Sequence, residues 1–215
     1  MGTHSGWPLY DLRVTSDDLE LRPVTEADAF ALADLLPDDL ELDPAAATYA
    51  LPDALDARRA IALQSHWRAH GSWRPEAWRI DFAVRRAGQL VGLQELEGTD
   101  FPRLRTVDSA SWLVADARGQ GVGRQMRRAV LALAFGPLGA EAAITSAWPD
   151  NSASLGVSQS LGYLPNGTHR HARGDGVDTM VHLALTRADW LAGAGADLTD
   201  VQIAGFEPCR PLFAI

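Results

Sequence analysis

The sequence has 215 residues, of which 47% are hydrophobic and 22% are charged. These values are typical of a globular chain with one domain, with or without terminal extensions, and they exclude an intrinsically disordered chain. The formal net charge of −9 argues against nucleic-acid binding, because an acidic surface repels the phosphate backbone. An amine or another cationic substrate is compatible with this charge, although solubility alone also accounts for it.

The single cysteine, Cys209, excludes an internal disulfide and favours a reducing, cytoplasmic location. The first residues lack a basic region followed by an apolar stretch, so no signal peptide is predicted. No apolar run is long enough to span a bilayer, and no association with a membrane is expected.

The N-terminal third predicts two short strands and two helices. Residues 10–24 alternate around a Ser-Asp-Asp turn, which is typical of paired strands. Thr25 is placed to cap a helix with Asp28 in its first turn, and Pro37 stops that helix. A second helix follows Pro52 and ends near Gly71.

The remainder predicts strands with interspersed helices. Ala87–Gly88 is predicted to form a tight turn between the first two of three successive strands. Met126, Val130, Leu133 and Ala134 share one face of a long helix. The mixed order indicates an α/β or α+β fold with at least partly antiparallel pairing. The predicted strands are 78–86, 89–98, 106–115, 140–149 and 179–190, and the predicted helices are 123–139 and 152–163.

The segment "WLVADARGQGVGRQM", residues 112–126, carries three glycines at every second position between a strand and a basic helix. Such a loop exposes backbone N–H groups at a helix N-terminus and is suited to an anion. A dinucleotide-binding loop needs a third glycine where this chain has Arg124, and a nucleoside-triphosphate loop needs a Gly-Lys-Ser/Thr sequence that is missing. The pyrophosphate of coenzyme A is the third ligand that fits.

The pattern Arg118-x-x-Gly121-x-Gly123 resembles the Arg/Gln-x-x-Gly-x-Gly/Ala signature of the GNAT superfamily of acyl-CoA N-acyltransferases. The downstream stretch "DNSASLGVSQSLGY" is similar to the family's Asn-x-x-Ser…Leu-Gly-Phe/Tyr segment. The branch that acetylates N-termini of ribosomal proteins is closest in pattern. The resemblance covers Leu19 to Trp190. It implies a mixed, largely antiparallel central sheet that is splayed mid-way, with helices on both faces.

Three segments follow from this resemblance: an N-terminal extension with the first strand (1–18), an acyltransferase domain (19–190) and a C-terminal extension (191–215). The apolar tail of the last segment is expected to dock on the domain or on a second subunit of a homodimer. The family activity implies transfer of an acetyl or another acyl group from acyl-CoA directly to a primary amine of a protein or small molecule.

The resemblance also implies the coenzyme contacts. The oxyanion donor is expected to be a backbone N–H near Val114, and Asn151 is expected to hydrogen-bond the pantetheine amides. The full set of expected contacts is Leu113, Val114, Arg118, Gly119, Gln120, Gly121, Val122, Gly123, Arg124 and Asn151.

The catalytic groups are less sharply defined. Asp108 matches the position of a frequent family glutamate and is the first choice for the base. Glu95 and Glu97, which share one face of the preceding strand, are the alternative candidates. Many family members carry a tyrosine acid where this chain has Ser158. Ser154 is then expected to hydrogen-bond the departing thiolate, or else only to cap its helix.

A non-catalytic acyl-CoA-binding domain is the rival interpretation, and the missing tyrosine gives it weight. Two histidine pairs, His66 with His70 and His169 with His171, lack the partners of a zinc site and are expected on the surface, so no metal is predicted. One or two of the tryptophans at 67, 73 and 78 are expected in the core.

Overall fold

The computed structural model describes residues 5–41 and 49–215, so the first four residues of the predicted N-terminal extension lie outside it. The strands are β1 (Arg13–Ser16), β2 (Leu19–Pro23), β3 (Trp78–Arg86), β4 (Gln89–Gly98), β5 (Thr106–Asp108), β6 (Ser111–Leu113), β7 (Ala142–Ala147), β8 (Leu164–Arg173), β9 (Gly176–Thr186) and β10 (Val201–Ala204). The α-helices are α1 (Glu26–Asp34), α2 (Ala54–Gly71), α3 (Phe101–Leu104), α4 (Val122–Phe135), α5 (Ser152–Ser160) and α6 (Arg187–Ala192). Short 3₁₀ helices are Pro8–Asp11, Ala115–Ala117 and Glu207–Phe213.

The strands form one sheet in the order β10-β1-β2-β3-β4-β5-β7-β9-β8, with β6 paired to β4. The pairs are antiparallel except for β5 and β7, which run parallel. The mixed, largely antiparallel sheet expected from the resemblance is therefore confirmed.

Local sequence signals place several of these elements correctly. The Thr25 hydroxyl accepts the N–H of Asp28 while the Asp28 carboxylate accepts the N–H of Thr25, which closes a capping box at the start of α1. The helix ends before Pro37, as predicted. Ala87 and Gly88 both have positive φ, 46° and 82°, as a two-residue hairpin turn requires.

The helices cover both faces of the sheet. On β3, Ile80, Phe82 and Val84 belong to the main apolar core, to which α4 contributes most of its residues. The intervening residues of β3 face the other side, where Ala83 packs with Leu32 of α1. The two faces thus differ: α4 seals one with apolar contacts, whereas α1 and α2 cover the other around a cavity.

The predicted strand 106–115 is in fact two strands. β5 and β6 are separated at Ser109 and Ala110 because β5 pairs with β7 whereas β6 pairs with β4 alone. This break is the splay that the family resemblance implied.

Three elements depart from the sequence prediction. β8 was not predicted, since its residues are exposed on both faces and show no apolar alternation. The closing strand begins earlier than predicted, at Gly176, and ends at Thr186, whose hydroxyl accepts the N–H of Asp189 and starts α6. β10 extends the sheet at its far edge.

The C-terminal tail packs on its own domain. β10 pairs with β1, the Trp73 indole N–H donates to the Leu212 carbonyl at 2.9 Å, and Phe213 packs against Trp73 and Trp78. The tail thus finds its packing partners within one chain. The homodimer stays a prediction, and no surface is assigned to it. Within residues 5–41 and 49–215, no helix combines the length and apolar character needed to cross a membrane.

Candidate active site

The sheet opens at β6. The parallel pairing of β5 with β7 ends at Asp108, and β6 then turns away to pair with β4. Among the described residues no strand pairs with the other edge of β6. That edge therefore presents backbone groups to a cleft between β6 and β7.

The register of β6 determines which backbone groups face the cleft. The N–H of Val114 donates to the Val91 carbonyl at 2.9 Å, and the N–H of Glu95 donates to the Ala110 carbonyl at 2.7 Å. Because hydrogen-bonded residues alternate along an antiparallel ladder, the N–H of Leu113 points to the opposite, open edge. The sequence placed an oxyanion donor near Val114; the N–H of that residue is engaged within the sheet.

The glycine loop lies between β6 and α4. Gly119 and Gly121 have φ values of 71° and 81°, a left-handed conformation that side chains with a Cβ rarely adopt. Val122, the first residue of α4, is buried, and in the described chain no side chain caps the helix at Gly121. The N–H groups of the first turn, including that of Gly123, therefore remain available for an anion.

Arg118 is held in a fixed position beside this loop. Its Nε donates to the Leu113 carbonyl at 2.9 Å, and its two terminal nitrogens donate to the Asp39 carboxylate at 2.6 and 2.9 Å. These hydrogen bonds hold the pKa of Asp39 below its usual value. Arg118 thus links the loop to the segment after α1 and orients the end of β6.

The other polar side chains of the loop differ in their contacts. The Gln120 amide oxygen accepts a hydrogen bond from Arg86 at 2.7 Å. Arg124 is exposed in the first turn of α4 and forms no ion pair with any residue that the structure describes. Its charge is free to meet a phosphate.

The helix α5 packs beside the loop. A Cβ built on Gly123 would lie 3.5 Å from Cγ2 of Val157, an ordinary van der Waals distance, so Gly123 faces α5. Asn151 is the cap of α5, because its Oδ1 accepts the N–H of Ser154 at 3.0 Å. Its amide nitrogen is the half of the side chain left for another partner.

Ser154 is not the helix cap, so that simpler explanation of its presence is wrong. Its backbone N–H bonds to Asn151, while its half-buried hydroxyl has no hydrogen bond to a described residue. Ser158, at the position of the family tyrosine, is buried, and its hydroxyl donates to the Ser154 carbonyl at 3.0 Å.

A cavity of about 420 Å³ lies on the face of the sheet that is opposite α4, under α1 and α2. Ala110, Ser111 and Trp112 line it, so the cavity extends to β6, the strand whose other edge is open. Glu95 of β4 also lines the cavity, and its carboxylate forms no hydrogen bond or ion pair with any described residue.

The environment of Glu95 favours its protonated form. Burial raises the pKa of its carboxyl to about 7, and the nearby negative charge of Asp81 adds to this effect, while Arg79 opposes it. A carboxyl with a pKa near neutrality is well matched to general base chemistry.

Asp81 lies directly across β3 and β4 from Glu95 and is held by two partners. Its carboxylate lies 2.9 Å from Nε of Arg79 and 3.0 Å from Nδ1 of His66. Arg79 also donates to the carbonyl and hydroxyl of Ser65, so the network ties β3 to α2. Glu95 therefore faces an acid whose charge is already matched.

Asp108, the first choice for the base, lies outside this cavity. It pairs with Glu97 across β5 and β4, and its Oδ1 accepts the N–H of Ser109 at 2.6 Å. Burial raises its pKa to about 6, although the hydrogen bond from Ser109 opposes the shift. Its raised pKa is suitable for a base, but Glu95 lines the cavity and Asp108 does not.

The surface prediction for the histidines is wrong for His66, which is buried because Asp81 of β3 gives it a partner. His70 is half-buried beside it, and burial lowers its pKa. His169 is exposed on β8, where its ring stacks on His182. No group of three metal-ligating side chains is found in 5–41 and 49–215. Of the tryptophans, Trp78 lies in the core as expected.

Arg127 of α4 is a buried cation that was not predicted from the sequence. Its guanidinium lies 3.4 Å from the hydroxyls of Thr145 on β7 and Ser111 on β6, and so spans the two strands where the sheet opens. Burial lowers its pKa. A basic residue within an otherwise apolar helical face was the available signal.

Comparison with known proteins accords with this geometry. A protein-family model described as "Acetyltransferase (GNAT) domain" matches residues 18–164. The chain belongs to the GNAT acetyltransferase family.

Solved structures of other GNAT proteins share its fold. RimJ of Mycobacterium smegmatis in complex with CoA-disulfide is 18% identical, with a TM-score of 0.68, and the match covers 91% of this chain and 98% of that one. RimL, a ribosomal L7/L12 alpha-N-protein acetyltransferase in complex with coenzyme A, is 16% identical with a TM-score of 0.60, covering 80% and 96%. A SpeG spermidine N-acetyltransferase chimera from Vibrio cholerae and hSSAT is 16% identical with a TM-score of 0.61, covering 81% and 98%.

Proposed function

We propose that this GNAT protein transfers an acetyl group from acetyl-CoA directly to a primary amine. The observation that carries the proposal is the unpaired carboxylate of Glu95, which lines a cavity on one side of β6 while the glycine loop borders the cleft on the other. A base, an amine-sized space and an anion site thus meet at one three-residue strand.

The residues of the loop fit the coenzyme. The uncapped N–H groups at Gly121 to Arg124 would bind its pyrophosphate, with the exposed Arg124 side chain adding positive charge. The open edge of β6 would bind its pantetheine arm, and the free amide nitrogen of Asn151 would donate to it. RimJ and RimL, which share the fold, are themselves coenzyme A complexes.

Glu95 is our choice for the base. It would accept the proton that the amine loses as its nitrogen attacks the thioester carbonyl. The N–H of Leu113, rather than that of Val114, would stabilise the oxyanion, because only the former points to the open edge. The hydroxyl of Ser154 would then hydrogen-bond the departing thiolate.

Direct transfer is favoured over an acyl-enzyme. Cys209 is buried in the C-terminal tail, and burial raises the pKa of its thiol to about 11, so it carries little thiolate.

The decisive experiment measures release of free thiol from acetyl-CoA against a panel of primary amines, together with calorimetric binding of acetyl-CoA. Turnover that Glu95→Gln lowers by about 10²–10⁴-fold, with coenzyme binding retained, is the expected result. Coenzyme binding without turnover on any amine would instead identify a non-catalytic acyl-CoA-binding domain.

A further inference from the structure

The cavity beside Glu95 contains one unmatched carboxylate. The carboxylate of Asp81 is paired with Arg79 and His66. Glu41, at the rim, is paired with Arg173. Glu95 forms no hydrogen bond or ion pair with a described residue, and the one cation whose charge acts on it, Arg79, is bonded to Asp81. The paired acids are already compensated, so the cavity has a place for a single positive charge.

Arg68 is the remaining charged side chain of the lining. It is exposed on α2, at the outer end of the cavity, where water screens its charge. It therefore does not neutralise Glu95, but it disfavours a second cation at the mouth of the cavity.

The rest of the wall combines apolar and uncharged polar side chains. At about 420 Å³, the cavity lies at the small end of the range of about 300–1,000 Å³ that is usual for small-molecule sites. Its apolar part includes Leu36, Leu93 and Trp112, and its uncharged polar members among the described residues are Tyr49, Gln64, Ser65 and Ser111.

We infer that the acceptor is a compact primary monoamine with an apolar body. This inference rests on the proposed function. The ammonium group lies at Glu95, and the apolar body lies against Leu93, Leu36 and Trp112. Glu95 takes one proton from the ammonium, which leaves a neutral amine. The C–N bond then forms at the acetyl carbonyl as the C–S bond breaks, and the second proton that the nitrogen loses passes to the thiolate of coenzyme A. The products are the N-acetylamine and free coenzyme A.

A polyamine and a peptide fit the same wall less well. Each further ammonium of a polyamine would need its own carboxylate, and the two others in the lining, Asp81 and Glu41, are held in ion pairs. A peptide carries amide groups that lose their hydrogen bonds to water against Leu32, Leu36 and Leu40, which costs free energy unless partners replace them. An arylalkyl or alkyl monoamine incurs neither cost.

The test compares 2-phenylethylamine, hexylamine, spermidine and the dipeptide alanyl-alanine amide as acceptors, with acetyl-CoA as donor and free thiol as readout. We expect kcat/KM for the two apolar monoamines to exceed that for spermidine and the dipeptide by at least about tenfold. Leu93→Ala should raise KM for 2-phenylethylamine about tenfold, because buried apolar contact is lost. Leu164→Ala, on the exposed start of β8, is the matched control and should leave KM unchanged.

The outcomes separate this inference from the function on which it rests. A preference for spermidine or the dipeptide overturns the monoamine assignment and leaves acetyl transfer standing. Transfer to none of the four amines, with acetyl-CoA still bound, overturns both. An unchanged KM for 2-phenylethylamine in a folded Leu93→Ala variant also overturns the assignment, since the amine would then bind elsewhere.

Discussion

Glu95 and Asp81 are direct cross-strand neighbours on β4 and β3, and both side chains line the same cavity. Like charges in this position destabilise each other. The structure resolves the conflict unequally: Asp81 takes Arg79 and His66 as partners, and Glu95 takes none among the described residues. Glu95 is thereby left with a pKa near neutrality.

The first prediction concerns the pH dependence of the rate. With acetyl-CoA saturating, kcat/KM for the amine should fall about tenfold per pH unit below a midpoint of about 7, because the base works only when Glu95 is ionised. In Glu95→Gln the amine must lose its proton before binding, so the low-pH limb should move toward the pKa of the amine, near 10. The rate at pH 7 should drop by about 10²–10⁴-fold.

Asp108→Asn is the matched control for this profile. The pKa of Asp108 is also raised, to about 6, but its side chain does not line the cavity. The variant should keep the midpoint near 7. If Asp108→Asn removes the limb and Glu95→Gln retains it, the base is Asp108, as the sequence alone had suggested.

The second prediction concerns stability. Burial, followed by the charge of Asp81, raises the pKa of Glu95 in the fold to about 7 from its ordinary value of 4.5. The folded state therefore binds more protons between these values, and its stability falls as the pH rises through 7. Glu95→Gln escapes this loss, so its Tm should exceed that of the wild type by a few degrees at pH 8 and approach it near pH 5.

For an exposed acid with a lowered pKa, the expected effect of pH on stability has the opposite sign. Hydrogen bonds from Arg210 lower the pKa of Glu207, so Glu207→Gln should not raise Tm at pH 8. Thermal unfolding at the two pH values measures both variants. A Glu95→Gln variant with the same Tm offset at pH 5 and pH 8 would contradict the raised pKa.

The sequence was sufficient where the signal is local. The capping box at Thr25, the turn at Ala87–Gly88 and the apolar face of α4 each depend on residues within a few positions of one another. The glycine loop was found for the same reason, since three alternating glycines after a strand allow positive φ and leave the backbone N–H groups unshielded by side chains.

The sequence was insufficient for the features of the site that depend on which strands pair and in which register. The alternation of Glu95 and Glu97 was visible, but the partner of Glu95 across the sheet was not, because the register of β3 against β4 is a long-range property. The burial of His66 is also a long-range property, because it depends on the packing of α2 against Asp81 of β3. The break at Ser109 was hidden because it depends on distant strands: β5 lies between β4 and β7, whereas β6 pairs with β4 alone.

The third prediction concerns the glycine loop. Gly121→Val should weaken the binding of coenzyme A at least about tenfold, because a β-branched residue is strained at a φ of 81° and its side chain would stand where the pyrophosphate approaches. Gly174→Val is the control, since Gly174 also has a positive φ, 54°, but lies in the turn between β8 and β9. Calorimetry on both folded variants measures the difference; equal affinities would refute the loop as the coenzyme site.

The fourth prediction concerns Ser154. Its hydroxyl has no hydrogen bond to a described residue, whereas the cap of α5 is supplied by Asn151 and the hydroxyl of Ser158 is already bonded. Ser154→Ala should therefore lower kcat by about tenfold or more with Tm and acetyl-CoA affinity unchanged, because the lost contact is made to the developing thiolate. Ser160→Ala, near the exposed end of the same helix, is the matched control and should keep the wild-type kcat. Pre-steady-state rates of thiol release, measured beside calorimetric affinities, separate the chemical step from binding. A Ser154→Ala variant that loses affinity and rate in equal proportion would show a binding contact, and one that retains both would leave protonation of the thiolate to water.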